Sequence, residues 1–337
     1  MLIDSFGRTL DYLRVSITDR CNLRCVYCMP PEGVEWKSHE AMLSFEEILR
    51  ICRIMAELGV KKIKVTGGEP LVRRGAASFL KNLKALSGLE KITLTTNGFL
   101  LNAYLDEAEA LGSGSLPDSV NISLDALDSQ RFMSITRTDN SRPEEILPEI
   151  DRLLEKRITV KINCVPILGY NEEEILPIAA LARDRDIAVR FIELMPLGSA
   201  AALKPIPGSE IASLLENTYG TLSPLPGMHG NGPAVYYSIS GFLGKIGFIN
   251  AVTHGFCETC NRLRLTSEGF LKLCLSYNIG LDLRVLLRSG ASDSELKQAI
   301  TDITAKKPGF HSLSKVYGAA SAEYGNQHSN GMFEIGG

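Results

Sequence analysis

Eight cysteines carry most of the recognisable chemistry in this 337-residue chain, and six of them fall into two groups of three. Cys21, Cys25 and Cys28 are spaced C-x3-C-x2-C, and Cys257, Cys260 and Cys274 are spaced C-x2-C-x13-C. A structural zinc ion takes four protein ligands. Three thiolates on a four-iron cluster leave one iron open for a cofactor or substrate. Two triads that each lack a fourth cysteine therefore suit clusters of that kind. Zinc completed by another side chain is the alternative, and His254 stands near enough to Cys257 in sequence to serve. Cys52 shares a helical face with Ile48, Ile51 and Met55, and Cys164 alternates with Ile162. Both read as small core hydrophobes.

Two further features bear on chemistry. Thr66-Gly67-Gly68-Glu69-Pro70 is a loop whose glycines bare the backbone to a ligand. Glu69 can accept from an ammonium group, and Pro70 fixes the turn. Arg262 and Arg264 alternate immediately after a triad cysteine, and paired guanidinium forks suit phosphate oxygens. A solvated charged hairpin is the plain alternative for that pair.

These residues need a scaffold, and the hydrophobic pattern supplies one. Strand-like runs at 12–18, 61–66, 91–95, 119–125, 159–165 and 188–195 are separated by helical patterns at 45–58, 76–86, 102–111, 143–156 and 172–185. Ser44 and Glu47 form a capping box before the first helix, and Gly59 ends it. Strand–helix alternation implies a parallel sheet with right-handed crossovers. A closed barrel needs eight such units, so six imply an open, incomplete (β/α)6 barrel. The first triad and the Gly67-Gly68 loop then sit at the C-terminal ends of strands one and two, on the rim where such barrels keep their sites.

One face of these strands is apolar. The other carries Arg14, Lys62, Lys64, Thr95, Asn121, Ser123, Lys161 and Asn163. A packed interior cannot hold that many polar groups without partners, so the inner face is expected to line a wet cavity for a polar, anionic ligand. Strand six is ambiguous, with Arg190 and Glu193 on opposite faces. Pro and Gly become frequent over 205–233. Short strands are expected near 234–239 and 243–250, a hairpin over 263–273 turning at Glu268-Gly269, and helices over 281–288 and 293–303. The fold class is thus α/β with a C-terminal α+β extension. Its units are 1–200, a cluster-bearing extension at 201–320, and a tail at 321–337.

Composition excludes several classes. With 45% hydrophobic and 22% charged residues the chain has a core to bury. A net charge of −3 argues against bulk electrostatic binding of nucleic acid. No apolar run reaches the length of a membrane helix. The first residues hold Asp4, Arg8 and Asp11 and resemble no signal peptide, so a cytoplasmic location is expected, with reduced thiols.

Cys21-Asn22-Leu23-Arg24-Cys25-Val26-Tyr27-Cys28 together with Gly67-Gly68-Glu69-Pro70 resembles the radical S-adenosylmethionine (SAM) family. Other segments narrow the resemblance to the GTP 3′,8-cyclase family of molybdenum cofactor biosynthesis. They are Ser16-Ile17-Thr18-Asp19-Arg20, Leu94-Thr95-Thr96-Asn97-Gly98, Asn121-Ile122-Ser123-Leu124-Asp125, Arg190-Phe191-Ile192-Glu193, the second triad with Arg262 and Arg264, and the terminal Ile335-Gly336-Gly337.

That resemblance implies a lyase with two [4Fe–4S] clusters, one on each triad. It implies SAM contacts at Tyr27, Gly67, Gly68, Glu69, Pro70, Ser123 and Met195. It implies GTP contacts at Arg14, Lys64, Thr95, Lys161, Arg262 and Arg264, with Lys62 and Arg190 as weaker candidates, and a tail ending Gly336-Gly337 that reaches the site. A SAM-derived 5′-deoxyadenosyl radical would take H3′ of GTP, and the C3′ radical would add to guanine C8. An external electron donor, a homodimer and a following enzyme, cyclic pyranopterin monophosphate synthase, are the implied partners. Two departures stand out. Lys64 occupies a position where the family commonly has Arg, and residues 140–145 differ from the family's glycine-containing segment. The rival readings are a peptide-modifying radical SAM maturase and a non-catalytic scaffold holding two zinc ions.

Overall fold

In the computed structural model, residues 1–33, 37–112, 114–139, 142–227 and 232–311 are described. The strands that alternate with helices in sequence stand side by side in space. β1 (Tyr12–Ser16), β2 (Lys62–Thr66), β3 (Lys91–Thr96), β4 (Ser119–Ser123), β5 (Thr159–Cys164) and β6 (Ala188–Ile192) pair in that order, all parallel. Their apolar residues Leu13, Val15, Ile63, Val65, Leu94, Val120, Ile122, Val160 and Ile162 are at most 1% exposed. Each such side chain contributes about 1.5–3 kcal/mol by burial. The helices of the crossovers are α1 (Phe45–Glu57), α2 (Ala76–Lys84), α3 (Leu101–Ala110), α4 (Ser129–Thr136), α5 (Leu147–Glu155) and α6 (Ile175–Ala180).

Local chemistry explains where the elements begin and end. The Ser44/Glu47 capping box forms as expected, and Gly59 turns the chain out of α1 at φ +100°. α4 has no counterpart in the hydrophobic pattern. It is set by its ends: the Asp128 carboxylate accepts from Arg131 N, and Arg137 leaves the helix at φ 52°. The helix expected over 143–156 is a 3-10 turn, Pro143–Glu145, followed by α5. Pro148 has no N–H to donate to the preceding turn and is tolerated in the first turn of a helix, so α5 begins beside it instead of running on from residue 143. Over 172–185 the helix is likewise shorter, a turn at Glu172–Glu174 followed by α6.

The C-terminal part contributes α7 (Gly208–Tyr219), β7 (Ser223–Pro224), β8 (Val235–Ser238), β9 (Lys245–Ile249), β10 (Arg262–Leu265), β11 (Phe270–Lys272), β12 (Gly280–Asp282), α8 (Leu283–Arg288) and α9 (Asp293–Thr304). α7 lies inside the stretch whose Pro and Gly content suggested none. β9 joins β6 in parallel and β10 joins β1 in parallel. The sheet order is β12-β11-β10-β1-β2-β3-β4-β5-β6-β9-β8-β7. The six-stranded array therefore continues on both edges, giving eight adjacent parallel strands from β10 to β9. β9 and β10 are consecutive in sequence and sit on opposite sides of the array, so residues 250–261, with Cys257 and Cys260, run between them.

Candidate active site

A cavity of about 310 Å³ lies on the inner face of the sheet, and both cysteine triads line it. Strand register sets their separation. Tyr12 opens β1 opposite Arg262, and Arg14 stands between Arg264 and Lys64. Cys257 and Cys260 immediately precede β10, so they lie at the N-terminal end of the parallel strands. β11 runs antiparallel to β10 with Lys272 opposite Arg264, which returns Cys274 to the same end. The first triad follows β1 at the C-terminal end. The five residues of β1 span about 16 Å at 3.3 Å per residue. The triads thus face each other along one channel rather than sharing a rim.

At the first end, three loops are tied together. Gly68 N donates to Thr18 O (2.7 Å) and Glu69 N to Arg20 O (2.8 Å). A Cβ on Gly68 would stand 2.4 Å from Arg20 O, and one on Gly67 2.6 Å from Thr18 O. Only glycine fits against the segment that presents the first triad. The Glu69 carboxylate accepts from Leu71 N, Thr96 Oγ1 and Asn97 N. It therefore fastens β2's loop to β3's, and burial pushes it up to about 7. The Asn97 amide in turn donates to Asn22 beside Cys21. Tyr27 donates its hydroxyl to Asp125 at the end of β4 (2.7 Å).

The thiols at this end are unsuited to nucleophilic attack. Burial pushes Cys21 up to about 11 and holds Cys25 well above its ordinary range. Reactive cysteines have the opposite shift. A thiol this reluctant to ionise by itself becomes a thiolate when a metal cation supplies the missing charge.

The middle and far end of the channel are cationic. Arg14, Lys64, Arg190, Arg262 and Arg264 line it. Burial, and then the charges of Arg14, Arg190, Lys161 and Arg262, hold the Lys64 ammonium well below its usual value. Arg264 is lowered by burial and by Arg14 and Arg262. Nε of Arg190 and Nε of Arg262 are buried with no hydrogen-bond acceptor. A buried donor left without an acceptor costs about 1–3 kcal/mol. An anionic ligand in the channel would supply the missing acceptors.

Around the second triad, Lys307 donates to the carbonyls of Arg262 (2.9 Å) and Leu273. Arg8 donates to the carbonyls of Cys257 and Pro308 (2.7 Å each). Burial opposes the Cys260 thiolate, but the charges of Arg262, Lys307 and Arg8 and a backbone hydrogen bond from Arg262 together outweigh it and the thiol is lowered. The Arg262 guanidinium lies 4.5 Å over the Phe256 ring.

Most residues singled out in the sequence meet at this cavity. All six triad cysteines line it, with Tyr27, Gly67, Gly68, Glu69, Ser123, Met195, Arg14, Lys64, Thr95, Arg262 and Arg264. Pro70 does not; it begins a 3-10 turn that supports the loop. Lys161 is buried on the same sheet but is not among the lining residues. Lys62 pairs with Asp11 (3.1 Å) instead. Gly336 and Gly337 lie outside the described residues. Glu193 and Arg190 both line the cavity. Strand alternation does not govern Glu193, because β6 ends at Ile192 and the carboxylate turns to accept from Val252 N and Thr253 N. His254 does not line the cavity and contacts Thr253. Among the described residues no three His, Cys, Asp or Glu converge on one metal ion.

Sequence reading missed Tyr12, Asn97, Phe256, Lys307 and His311 as individual lining residues. Asn97 stood in a quoted motif. Lys307 and His311 had no local signal, since they reach the cavity only through contacts with β10, β11 and the 250–261 segment.

Two triads, a glycine loop shaped to the first, and a buried cationic wall fit two iron–sulfur clusters and an anionic ligand. Comparison with known proteins agrees. The Radical SAM superfamily matches residues 15–182, and Molybdenum Cofactor Synthesis C matches residues 187–313. A GTP 3′,8-cyclase of Clostridium perfringens (strain 13) is 42% identical over 334 residues, covering 99% of both chains. One from Peptoclostridium acidaminophilum is 42% identical over 338 residues, covering 100% of this chain and 98% of that one. The crystal structure of Streptococcus suis SuiB bound to S-adenosylmethionine has a TM-score of 0.58 at 16% identity, over 91% of this chain and 67% of that one. This last likeness is one of fold. With its two triads facing each other along a cationic channel and near-complete alignment with those relatives, the chain belongs to the GTP 3′,8-cyclase family of radical SAM enzymes.

Proposed function

We infer that the chain converts GTP into 3′,8-cyclo-7,8-dihydro-GTP, the first step of molybdenum cofactor biosynthesis. The observation that carries this reading is the pair of cysteine triads at opposite ends of one cationic channel, in a chain 42% identical to GTP 3′,8-cyclases over its length. The reaction removes the 3′ hydrogen of GTP and joins C3′ to C8 of guanine. When bound, a [4Fe–4S] cluster at the first triad supplies the electron for reductive SAM cleavage, the source of the radical that starts it.

The chain's own residues do the rest. Cys21, Cys25 and Cys28 hold the first cluster. Gly67 and Gly68 bare their backbone to the methionine moiety of SAM, while Glu69 locks that loop to β3. Tyr27, Ser123 and Met195 border the nucleoside part of SAM. Arg14, Lys64 and Thr95 bind GTP across the middle of the channel, with Arg262 and Arg264 beside the second triad. Cys257, Cys260 and Cys274 would hold a second cluster, and three protein ligands would leave room beside it for the guanine. The walls exclude water from the radical. Lys64 keeps the charge of the family's usual Arg without its bidentate fork.

Residues 1–200 form the SAM-binding unit, 201–320 the GTP-binding extension, and 321–337 a tail whose Gly336 and Gly337 enter the site. Deleting the two glycines is expected to abolish product formation. An external one-electron donor is required, and cyclic pyranopterin monophosphate synthase consumes the product. Exposed Met1, Ile3, Phe6 and Phe310 support a homodimer, to be read by sedimentation. No described helix is long and apolar enough to cross a membrane. The need for reduced thiols supports the cytoplasm.

Anaerobic incubation with SAM, a reductant and GTP, followed by mass analysis, tests the assignment. The expected result is 5′-deoxyadenosine formed together with a cyclised nucleotide. SAM cleavage that leaves GTP intact rejects it.

A further inference from the structure

Gly247 in β9 lies opposite Tyr236 in β8. A Cβ at 247 would stand 2.8 Å from Tyr236 Cε1 and 3.1 Å from Arg190 Cγ. The missing side chain lets the Tyr236 ring lie across β9 against Arg190, which hydrogen-bonds to the phenol. The tyrosine is 5% exposed. Two ammonium groups share its ring: Lys161 Nζ is 5.9 Å and Lys245 Nζ 6.0 Å from the centroid.

These three cations come from β5, β6 and β9. Lys245 pairs with Ala188, two residues before Arg190, so Lys245 and Arg190 fall on one face of the sheet. Burial, then the charges of Arg190, Lys91 and Lys245, push Lys161 down to about 7. Of these three cations Arg190 is among the residues that line the channel, so it is where the group meets the cavity. A ring can hold two ammonium groups near it by cation–π attraction.

We propose that Lys245 is a further ligand for the distal phosphates of the nucleotide, acting with Lys161 and Arg190, and that Tyr236 is the positioning residue that spaces the three cations. The proposal rests on GTP being the ligand of the channel. Its consequence is selectivity for phosphate-chain length. A nucleoside monophosphate ends before this group, and a triphosphate reaches it.

Equilibrium dialysis of the anaerobic holoenzyme with GTP and with GMP tests it. Lys245→Met is expected to weaken GTP binding about tenfold, the loss of one contact to a charged group, and to leave GMP within about twofold. Tyr236→Leu is expected to weaken GTP similarly. Tyr236→Phe, which keeps the ring, should recover most of that affinity. The proposal is overturned if Lys245→Met binds GTP like the unaltered protein, or loses GTP and GMP equally. An unaltered holoenzyme that cleaves SAM but binds no GTP instead rejects the cyclase reading itself.

Discussion

Lys161 shows how a single side chain responds to the cations packed around it. Buried, and beside Arg190, Lys91 and Lys245, its ammonium is pushed down to about 7. A lysine lowered in this way is charged in the folded protein only below about pH 7, whereas in the unfolded chain it stays charged to about pH 10.4. Its contribution to stability is therefore present above the unfolded value and is lost as pH falls through 7. A phosphate beside it reverses the shift and calls the proton back. At pH 8, GTP binding should take up part of a proton, and GTP affinity should fall as pH rises above about 7. Calorimetry in buffers of different ionisation heat measures the uptake. Lys161→Met should reduce it, leaving the share that belongs to Lys64, which burial and its cationic neighbours also lower; uptake unchanged in that variant assigns the proton elsewhere. The same reasoning separates Glu69 from a substrate-binding acid. Its three hydrogen-bond donors all come from the protein, two of them backbone amides, so its first task is to hold loops.

Strand ends and the loops after them do the positioning, and close backbone contact is their means. Gly68 is the sharpest case. With its hypothetical Cβ 2.4 Å from Arg20 O, Gly68→Ala must push the first-triad segment away or break the Gly68–Thr18 hydrogen bond. The expected result is selective loss of iron. A chain that carries about eight irons when both cubane sites are filled should retain about four. Iron and sulfide analysis of anaerobically purified protein reads this directly, and full iron content would show that the loop tolerates the methyl group. At this scale much was legible in the sequence. The α1 capping box, the 263–273 hairpin and the polar inner face follow from spacing within a few residues. α4 and α7 were not legible. Asp128 defines the start of α4 through a cap rather than a long apolar stripe, and α7 buries only Ile211 and Leu215.

The whole molecule is organised by one sheet that both halves of the chain build. β9 covers the edge left by β6, and β10 covers the edge left by β1. A fragment ending at residue 200 would present both edges as unpaired, largely apolar strands, a template for aggregation. Residues 1–200 expressed alone should be insoluble or lack cooperative unfolding, while the full chain unfolds with its sheet as a unit. A soluble fragment with a sharp thermal transition in circular dichroism would show that the six-stranded array is self-sufficient. The same closure places the second triad at the far end of the channel from the first.

The sequence by itself determined the two triads, the glycine loop, the apolar and polar faces of six strands, and the family. All of these depend on residue type and on spacings short enough for strand or loop periodicity to carry. Only the tertiary structure decided that the triads oppose each other, that Glu193 joins Arg190 at the cavity, and that Arg8, Lys307 and His311 brace the second triad and its segment. Arg8 reaches Cys257 across 249 positions of chain. Such contacts follow from which strand pairs with which, and strand pairing is settled by closing the sheet edges and burying the apolar face, a property of the assembled chain and not of any local window.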